Sequence, residues 1–285
     1  MSAEVVNGLT VDLEDWYQGL TSTNRQFDRW PEFEDRVAPA TERVLTLLRE
    51  FGVQATFFVL GYVARMHPDL VERIAAEGHE IGLHGHSHRR VDRLTPTGFR
   101  EELQRGLETL VPITDQLPTG HRAPYFSISR QSLWAFDVLV EFGFHYDASL
   151  FPTRNMLYGF PGAPRWPVRL VPSGLVEFPA SIIRVGPVTV PIAGGFYLRA
   201  APAKWIVWSI RRLNRQGYPA ILYLHPWELD PDHPRPACVT VRERITHYTG
   251  LAAAQHKWRY VLERFRFAPL GTLVDSVRET AALTP

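Results

Sequence analysis

Acidic, imidazole and guanidinium side chains are concentrated in four short segments of this 285-residue chain. They are residues 12–15 (Asp-Leu-Glu-Asp), 84–88 (His-Gly-His-Ser-His), 121–122 (His-Arg) and 225–228 (His-Pro-Trp-Glu). Two histidines four residues apart, with a carboxylate from another segment, can hold a divalent cation and leave coordination positions open for water and substrate. The His-x-x-x-His spacing alone is weak evidence, but clustered acidic groups are costly without a cation and favour a metal site.

A cation, a carboxylate, an arginine and a further histidine in one cleft predict hydrolysis of an amide or an ester. The cation would polarise the carbonyl and activate water, a carboxylate would take a proton from that water, and a histidine would protonate the leaving group. An arginine beside the base would orient it and complement its charge. Taken alone, Asp12 also suits a helix N-cap, and His225 suits a buried histidine at the end of a strand.

The four segments follow apolar runs that read as strands and alternate with longer amphipathic runs that read as helices. Strands are predicted at residues 5–11, 54–60, 80–84, 120–125 and 220–224, and helices at 40–51, 68–77, 96–110, 130–142, 202–216 and 251–265. Repeated strand–helix–strand units indicate an α/β fold, either a barrel or a large open sheet, with functional groups at the C-terminal ends of the strands. Residues 152–191, which are rich in Gly and Pro, predict a β-hairpin insertion.

The composition excludes several classes of protein. The 31 Lys and Arg against 30 Asp and Glu give a net charge of +1, which indicates neither a nucleic-acid nor a membrane-surface partner. Cys238 is the single cysteine, so no intrachain disulfide can form. We find no apolar run near the roughly 20 residues of a membrane span. Because residues 1–8 lack the basic and apolar parts of a secretory signal, we expect a cytoplasmic location.

Six motifs in a fixed order carry a family resemblance. They are residues 9–16 (Leu-Thr-Val-Asp-Leu-Glu-Asp-Trp), 56–58 (Thr-Phe-Phe), 78–88 (Gly-His-Glu-Ile-Gly-Leu-His-Gly-His-Ser-His), 122–125 (Arg-Ala-Pro-Tyr), 146–149 (Tyr-Asp-Ala-Ser) and 224–225 (Leu-His). Each is weak alone, but together they resemble the polysaccharide deacetylases of the NodB-homology group, a carbohydrate esterase type, over residues 5–230. The segments 194–199, 224–228 and 246–251 resemble the subgroup found with exosortase-linked exopolysaccharide loci. We therefore expect one catalytic domain over residues 1–285, with a C-terminal extension at 231–285.

The resemblance implies a fold and a set of roles. The fold would be a distorted (β/α) barrel with fewer than eight units. The implied catalytic and metal-binding residues are Asp12 as general base, Arg122 as its partner, His225 as general acid, and His84 and His88 as metal ligands. The backbone N–H of Tyr125 would be an oxyanion donor, and the ring of Trp227 could stack on a sugar.

The third metal ligand departs from the family pattern. Most members place the metal-binding carboxylate directly after the base, where this chain has Leu13. Side chains alternate along a strand, so Glu14 shares a face with Asp12 and is the preferred ligand, with Asp15 as the competitor if the chain turns or bulges. Two imidazoles and a carboxylate suit zinc, and cobalt or nickel would satisfy the same ligands.

These features predict a metal-dependent carbohydrate N-deacetylase that removes N-acetyl groups from amino sugars of a polysaccharide or its precursor and releases acetate. The near-zero net charge suits a neutral glycan. One alternative is a hydrolase of a small cyclic amide, since related barrels that lack the paired aspartates act on such substrates. Another is a catalytically silent carbohydrate-binding domain, which would bind sugar without releasing acetate. The joint presence of an acid and a base favours the enzyme.

Overall fold

A computed structural model describes residues 5–154 and 159–283. Residues 155–158 of the predicted insertion and the first residues of the strand-bearing N-terminal segment, 1–4, lie outside the described residues. The strands, in chain order, are Asn7–Leu13 (β1), Thr56–Val59 (β2), Glu80–Leu83 (β3), Gly120–His121 (β4), Tyr146–Asp147 (β5), Val168–Leu170 (β6), Val176–Glu177 (β7), Ile182–Val185 (β8), Val188–Pro191 (β9), Ile221–Leu224 (β10), Phe267–Ala268 (β11) and Thr280–Ala281 (β12). The α-helices are Trp16–Gly19 (α1), Thr21–Asn24 (α2), Val37–Phe51 (α3), Gly61–Met66 (α4), Pro68–Ala76 (α5), Pro96–Thr114 (α6), Trp134–Glu141 (α7), Gly195–Ala200 (α8), Ala203–Asn214 (α9), Val241–Tyr248 (α10) and Leu251–Leu262 (α11).

Most of the strands form one sheet in the order β10-β1-β2-β3-β4-β5-β7-β6-β12, with β11 paired to β1. Its neighbours run parallel, apart from the antiparallel pair β6 and β7. Helices α3, α5, α6, α7 and α9 connect or follow these strands, as the alternation in the sequence predicts. All of β1 is buried between β10 and β2, so residues at its C-terminal end are flanked by the ends of two parallel strands.

The segment after β7 brings the two sides of the curled sheet together. The N–H of Phe178 donates to the carbonyl of Asp147 after β5 at 2.9 Å, and the N–H of Ala180 donates to Leu150 O at 2.9 Å. Directly afterwards, the N–H of Ser181 donates to Ile221 O of β10 at 3.3 Å. One stretch of chain thus bridges β5 and β10, and the predicted distorted (β/α) barrel is confirmed.

Apolar burial holds the sheet against its helices. Leu9, Val11 and Leu13 of β1 are fully buried, and each such side chain contributes roughly 1.5–3 kcal/mol relative to an exposed one. Helix α3 turns Val44 and Leu48 toward this core and ends at Gly52, whose φ of 60° is the left-handed conformation that glycine adopts without strain.

The structure refines several predicted elements. The predicted hairpin is present as the antiparallel pair β8 and β9, but the same insertion also supplies β6 and β7 to the main sheet. The C-terminal extension contributes β11 and β12 to this sheet. The strand predicted at residues 120–125 ends at His121, because Pro124 has no N–H for a ladder and Tyr125 has a φ of 58°.

Across the part of the chain that the structure describes, we find no helix with both the length and the apolar character needed to cross a bilayer. The cytoplasmic location stays a prediction.

Candidate active site and metal centre

Two carboxylates lie at the C-terminal end of β1. Asp12 is the penultimate residue of β1, and Glu14 follows the strand in a tight turn in which its N–H donates to the carbonyl of Asp12 at 3.0 Å. Each residue is 2% exposed. The turn, rather than continued strand alternation, therefore brings Glu14 into the same cleft as Asp12.

His84 and His88 lie in the loop that follows β3. His84 comes directly after β3, and the loop then turns so that His88 adopts a φ of 52°. His88 Nε2 lies 2.7 Å from Glu14 Oε2. Nitrogen atoms of His84 and His88 and a carboxylate oxygen of Glu14 all lie within 4.8 Å of one another, and all three residues are buried. The preferred set of three metal ligands is thus brought together.

The hydrogen bonds behind these imidazoles suit metal binding. His84 Nδ1 donates to the carbonyl of Arg122 at 2.7 Å, and His88 Nδ1 lies 3.1 Å from Asn24 Oδ1, so both Nε2 atoms are left for the cluster. Burial lowers the pKa of His84 to about 4, which keeps this imidazole neutral at pH 7. A neutral imidazole with a fixed tautomer is the form that binds a metal ion.

The charge of Glu14 fits the same role. Burial alone would raise the pKa of this carboxyl, but the neighbouring His88 and His225 outweigh burial and lower it to about 2. Its Oε1 also accepts a hydrogen bond from Trp227 Nε1 at 3.2 Å. Two imidazole nitrogens and one oriented carboxylate are a donor set that suits zinc.

Arg122 orients Asp12 from below the cleft. Its Nη1 donates to Asp12 Oδ1 and to Thr10 Oγ1, each at 2.6 Å, and its Nε donates to Ala148 O at 2.9 Å. The guanidinium is 1% exposed and lies 4.5 Å from the ring centroid of Phe58. Asp12 is therefore held by one oxygen, while its other oxygen faces the cleft.

His225, directly after β10, faces the same carboxylates from the opposite side. Its Nε2 lies 3.8 Å from Asp12 Oδ2 and 3.5 Å from Glu14 Oε1. Burial alone would lower the pKa of His225, but Glu14 and Glu228 outweigh burial and raise it to about 9. The imidazole is therefore protonated at neutral pH, as a proton donor must be.

Glu228 and Arg199 form a buried support for His225 that we did not predict. Glu228 Oε1 accepts from His225 Nδ1 at 2.6 Å, and Arg199 Nε donates to Glu228 Oε2 at 2.7 Å. Burial alone would raise the pKa of Glu228, but Arg199 and His225 lower it. Arg199 also donates to the carbonyls of His247 and Thr246, both at 2.9 Å. The three-residue spacing of His225 and Glu228, which forms a capping box, is the only sequence signal for this support.

Trp227 packs against the imidazoles of two histidines. Its ring stacks between two imidazoles, with centroid distances of 5.0 Å to His225 and 3.9 Å to His247. The residue is 4% exposed and lines the cleft beside Asp12 and Glu14, and its stacking on a sugar stays a prediction. The ring contacts His225 and, through Nε1, Glu14.

Asp15 lies outside the cluster of Glu14, His84 and His88. Its Oδ1 accepts from the N–H of Trp16 at 2.7 Å and caps α1, while its Oδ2 accepts from the N–H groups of Arg36 and Val37 at 2.7 and 3.0 Å at the start of α3. With these three backbone donors, Asp15 ties two helix N-termini together. Glu14, and not Asp15, therefore lies with His84 and His88 in the described structure, while the choice of the metal-binding carboxylate stays a prediction.

Tyr125 borders the cleft. Its ring centroid lies 4.7 Å from that of His88, and its hydroxyl donates to Gln18 O at 3.3 Å. Tyr125 and Phe126 have φ values of 58° and 48°, a strained conformation for residues with side chains and one that is frequent at functional sites. The oxyanion role of the Tyr125 N–H stays a prediction.

A barrel rim with a His/His/Glu cluster, an Arg-held aspartate and a Glu-held histidine defines a candidate metallohydrolase site. Residues 26–145 match the family model for polysaccharide deacetylases, and residues 148–275 match a domain of unknown function, DUF3473. The match to the polysaccharide deacetylases thus covers residues 26–145, less than half of the chain.

Related sequences match 38% of the chain. The peptidoglycan-N-acetylglucosamine deacetylase of Bacillus cereus is 36% identical over 110 residues, which make up 38% of this chain and 38% of that protein. The chitooligosaccharide deacetylase of Rhizobium leguminosarum bv. trifolii is 36% identical over 108 residues, or 38% of this chain and 47% of that protein. The matched region thus spans less than half of either relative.

Solved structures extend the likeness in fold to the whole chain. A protein from Mycobacterium smegmatis assigned to the polysaccharide deacetylases matches with a TM-score of 0.62 and 23% identity, covering 100% of this chain and 97% of that chain. A peptidoglycan N-acetylglucosamine deacetylase in complex with a benzamide ligand matches with a TM-score of 0.52 and 19% identity, covering 99% and 92% of the two chains. At these identities the structures support the fold alone.

Proposed function

We propose that this protein is a metal-dependent hydrolase that removes N-acetyl groups from the amino sugars of a polysaccharide or its precursor and releases acetate. The observation that carries the proposal is the pair of Asp12 and His225, which face each other at 3.8 Å across the edge of the Glu14, His84 and His88 cluster. A base, an acid and a set of metal ligands in one cleft are what hydrolysis of an unactivated amide requires.

Glu14, His84 and His88 would hold one divalent ion, with zinc as the first candidate and cobalt or nickel as alternatives. When bound, the ion would polarise the acetamide carbonyl and lower the pKa of the attacking water. The neutral His84, with Nδ1 fixed on the Arg122 carbonyl, presents its Nε2 without competition from a proton.

Asp12 would accept the proton of the attacking water at Oδ2, since Oδ1 is occupied by Arg122. His225 would then donate its Nε2 proton to the departing amine, while Nδ1 stays on Glu228. The oxyanion of the tetrahedral intermediate would receive a hydrogen bond from the Tyr125 N–H. The cleft thus presents an acceptor atom for the proton of the water and a donor atom for the proton of the amine.

The substrate class rests on the relatives, whose names specify peptidoglycan N-acetylglucosamine and chitooligosaccharide as their substrates. The link to exopolysaccharide loci and the treatment of residues 1–285 as one catalytic domain stay predictions.

Acetate release from a panel of substrates tests the proposal. The purified protein with added Zn²⁺ should release acetate from N-acetylated oligosaccharides such as tetra-N-acetylchitotetraose and should leave small cyclic amides intact. Hydrolysis of the cyclic amides alone would support the alternative amidase, and sugar binding without acetate release would support the silent binding domain.

A further inference from the structure

A second cavity of about 820 Å³ opens beside the proposed catalytic cleft and is strongly basic. Two glutamates and six arginines line it, the arginines being Arg25, Arg89, Arg90, Arg93, Arg105 and Arg242. The whole chain carries a net charge of only +1, so positive charge is concentrated at this place. Such a cavity attracts anions and raises their local concentration.

The two glutamates are occupied by other donors. Glu243 accepts from the N–H and the hydroxyl of Ser22, both at 2.6 Å, and from Thr240. Glu102 accepts from the N–H and the hydroxyl of Ser87 at 2.9 and 2.6 Å. Its nearest arginine, Arg89, is 3.9 Å away. Neutral donors do not cancel the charge of a carboxylate, but six arginines against two glutamates still leave an excess of positive charge in the cavity.

Most of the arginines are available to a ligand. Arg90 pairs with Asp92 at 2.6 Å. Within residues 5–154 and 159–283, we find no ion pair for four exposed arginines of the cavity, Arg25, Arg93, Arg105 and Arg242. Guanidinium groups match the paired oxygens of carboxylates and phosphates, and they are the residues that proteins use for these groups.

The basic cavity is continuous with the catalytic cleft. His88, Tyr125 and Thr21 line both, so a ligand that places one group at Asp12 can extend directly between the arginines. The volume falls within the roughly 300–1,000 Å³ of typical ligand sites. There is room for a charged part of the substrate adjacent to the reacting N-acetyl group.

We propose that the substrate is an anionic glycan, whose carboxylate or phosphate groups bind the arginine-lined cavity while its N-acetyl group enters the catalytic cleft. This inference rests on the proposed deacetylase function and replaces the neutral glycan expected from the net charge. Local charge at the site, rather than the sum over the chain, decides which substrate binds.

Three N-acetylated substrates test the proposal and distinguish the two anion sources. They are neutral tetra-N-acetylchitotetraose, a heparosan tetrasaccharide with uronate carboxylates, and UDP-N-acetylglucosamine with phosphates. We expect kcat/KM for acetate release to be about tenfold higher for at least one anionic substrate at low salt, and the preference to shrink near 1 M salt, where charges are screened within about 3 Å. Equal kcat/KM values, or a preference for the neutral substrate, would overturn the proposal.

The double variant Arg93→Gln/Arg105→Gln tests the cavity itself, with Arg211→Gln on the exposed part of α9 as the matched control. The double variant should raise KM for the preferred anionic substrate by about fivefold to tenfold, as expected for two solvent-accessible charge pairs. It should leave KM for tetra-N-acetylchitotetraose unchanged. The control should change neither. An equal effect of the double variant on neutral and anionic substrates, or no effect on either, would count against the cavity.

Calorimetric binding of the same three compounds separates the two proposals. If no compound releases acetate but the anionic ones bind and the double variant weakens them, the deacetylase function fails and the anion site stands. If chitotetraose is deacetylated while no anionic compound binds more tightly than it does, the function stands and the anion site is wrong.

Discussion

Two buried arginine–carboxylate pairs support the candidate site, and their arginines lie in the two matched regions of the chain. Arg122 lies in the region that matches the polysaccharide deacetylase model and holds Asp12. Arg199 lies in the region that matches DUF3473 and holds Glu228. Each arginine is about 1% exposed in its side chain. The pairs look alike, but their carboxylates are used differently.

The difference lies in which oxygen atoms remain available. Asp12 gives one oxygen to Arg122, and its other oxygen faces His225 across 3.8 Å of the cleft. Glu228 gives one oxygen to Arg199 and the other to His225 Nδ1, so both are hydrogen-bonded. Asp12 can therefore exchange a proton with substrate or water, whereas Glu228 can only position the histidine. One pair thus orients the proposed base, and the other supports the proposed acid.

The largest effect is expected at the carboxylate that keeps an open oxygen. Asp12→Asn removes the proposed base but preserves its shape beside Arg122, so acetate release should fall by roughly 10²–10⁴-fold. The bound metal, measured by elemental analysis, should be unchanged, since Asp12 is not in the ligand set. Activity near that of the unmodified protein would exclude Asp12 as the base.

A smaller loss of activity is expected at Glu228, whose two carboxylate oxygens both accept hydrogen bonds. Glu228→Gln keeps the shape of the side chain and one acceptor for His225, but it removes the charge and places an NH2 group opposite Arg199, so kcat should fall by roughly 10–100-fold with little change in KM. Glu228→Ala is a less useful variant, because it leaves Arg199 buried without its partner at a cost of roughly 3–5 kcal/mol. An unchanged kcat in the Gln variant would remove the distinction between the two pairs.

Trp227 tests whether the second region contacts sugar or only positions the site. Trp227→Phe keeps a ring between His225 and His247 but loses the hydrogen bond to Glu14, so metal affinity should fall about tenfold. KM for the oligosaccharide should stay within about twofold if that variant is saturated with metal. A large increase in KM with unchanged metal affinity would support stacking of Trp227 on a sugar.

The smallest effect on activity is expected at Asp15. Asp15→Ala removes the acceptor for the N–H groups at the starts of α1 and α3, so the free energy of unfolding should fall by about 1–2 kcal/mol in a denaturant titration. The folded variant should keep its metal and its rate of acetate release. Loss of metal without loss of stability would return Asp15 to the ligand set.

Much of the fold and several site residues are predictable because parallel strands end at one rim. The apolar runs before Asp12, His84 and His225 mark β1, β3 and β10, and the polar residues directly after them reach the same cleft. The short β6 and β7 are harder to predict, because pairs of two or three residues give no periodicity.

The supporting residues escape prediction because their roles depend on tertiary contacts. Arg199 lies in the six-residue helix α8, far in sequence from Glu228, and only the folded chain shows that they meet. Asn24 likewise reaches His88 across 64 positions of the sequence. The contacts of Asp15 with backbone N–H groups and of Trp227 with two imidazoles are likewise tertiary, and a residue type beside a site does not reveal them.

Removal and return of the metal is the most direct test of the proposed chemistry. The purified protein should contain about one divalent ion per chain, lose acetate release from an N-acetylated oligosaccharide when a chelator removes that ion, and recover it on addition of Zn²⁺, Co²⁺ or Ni²⁺. Full acetate release by protein shown by elemental analysis to be metal-free would contradict the role of Glu14, His84 and His88 as ligands of a catalytic ion.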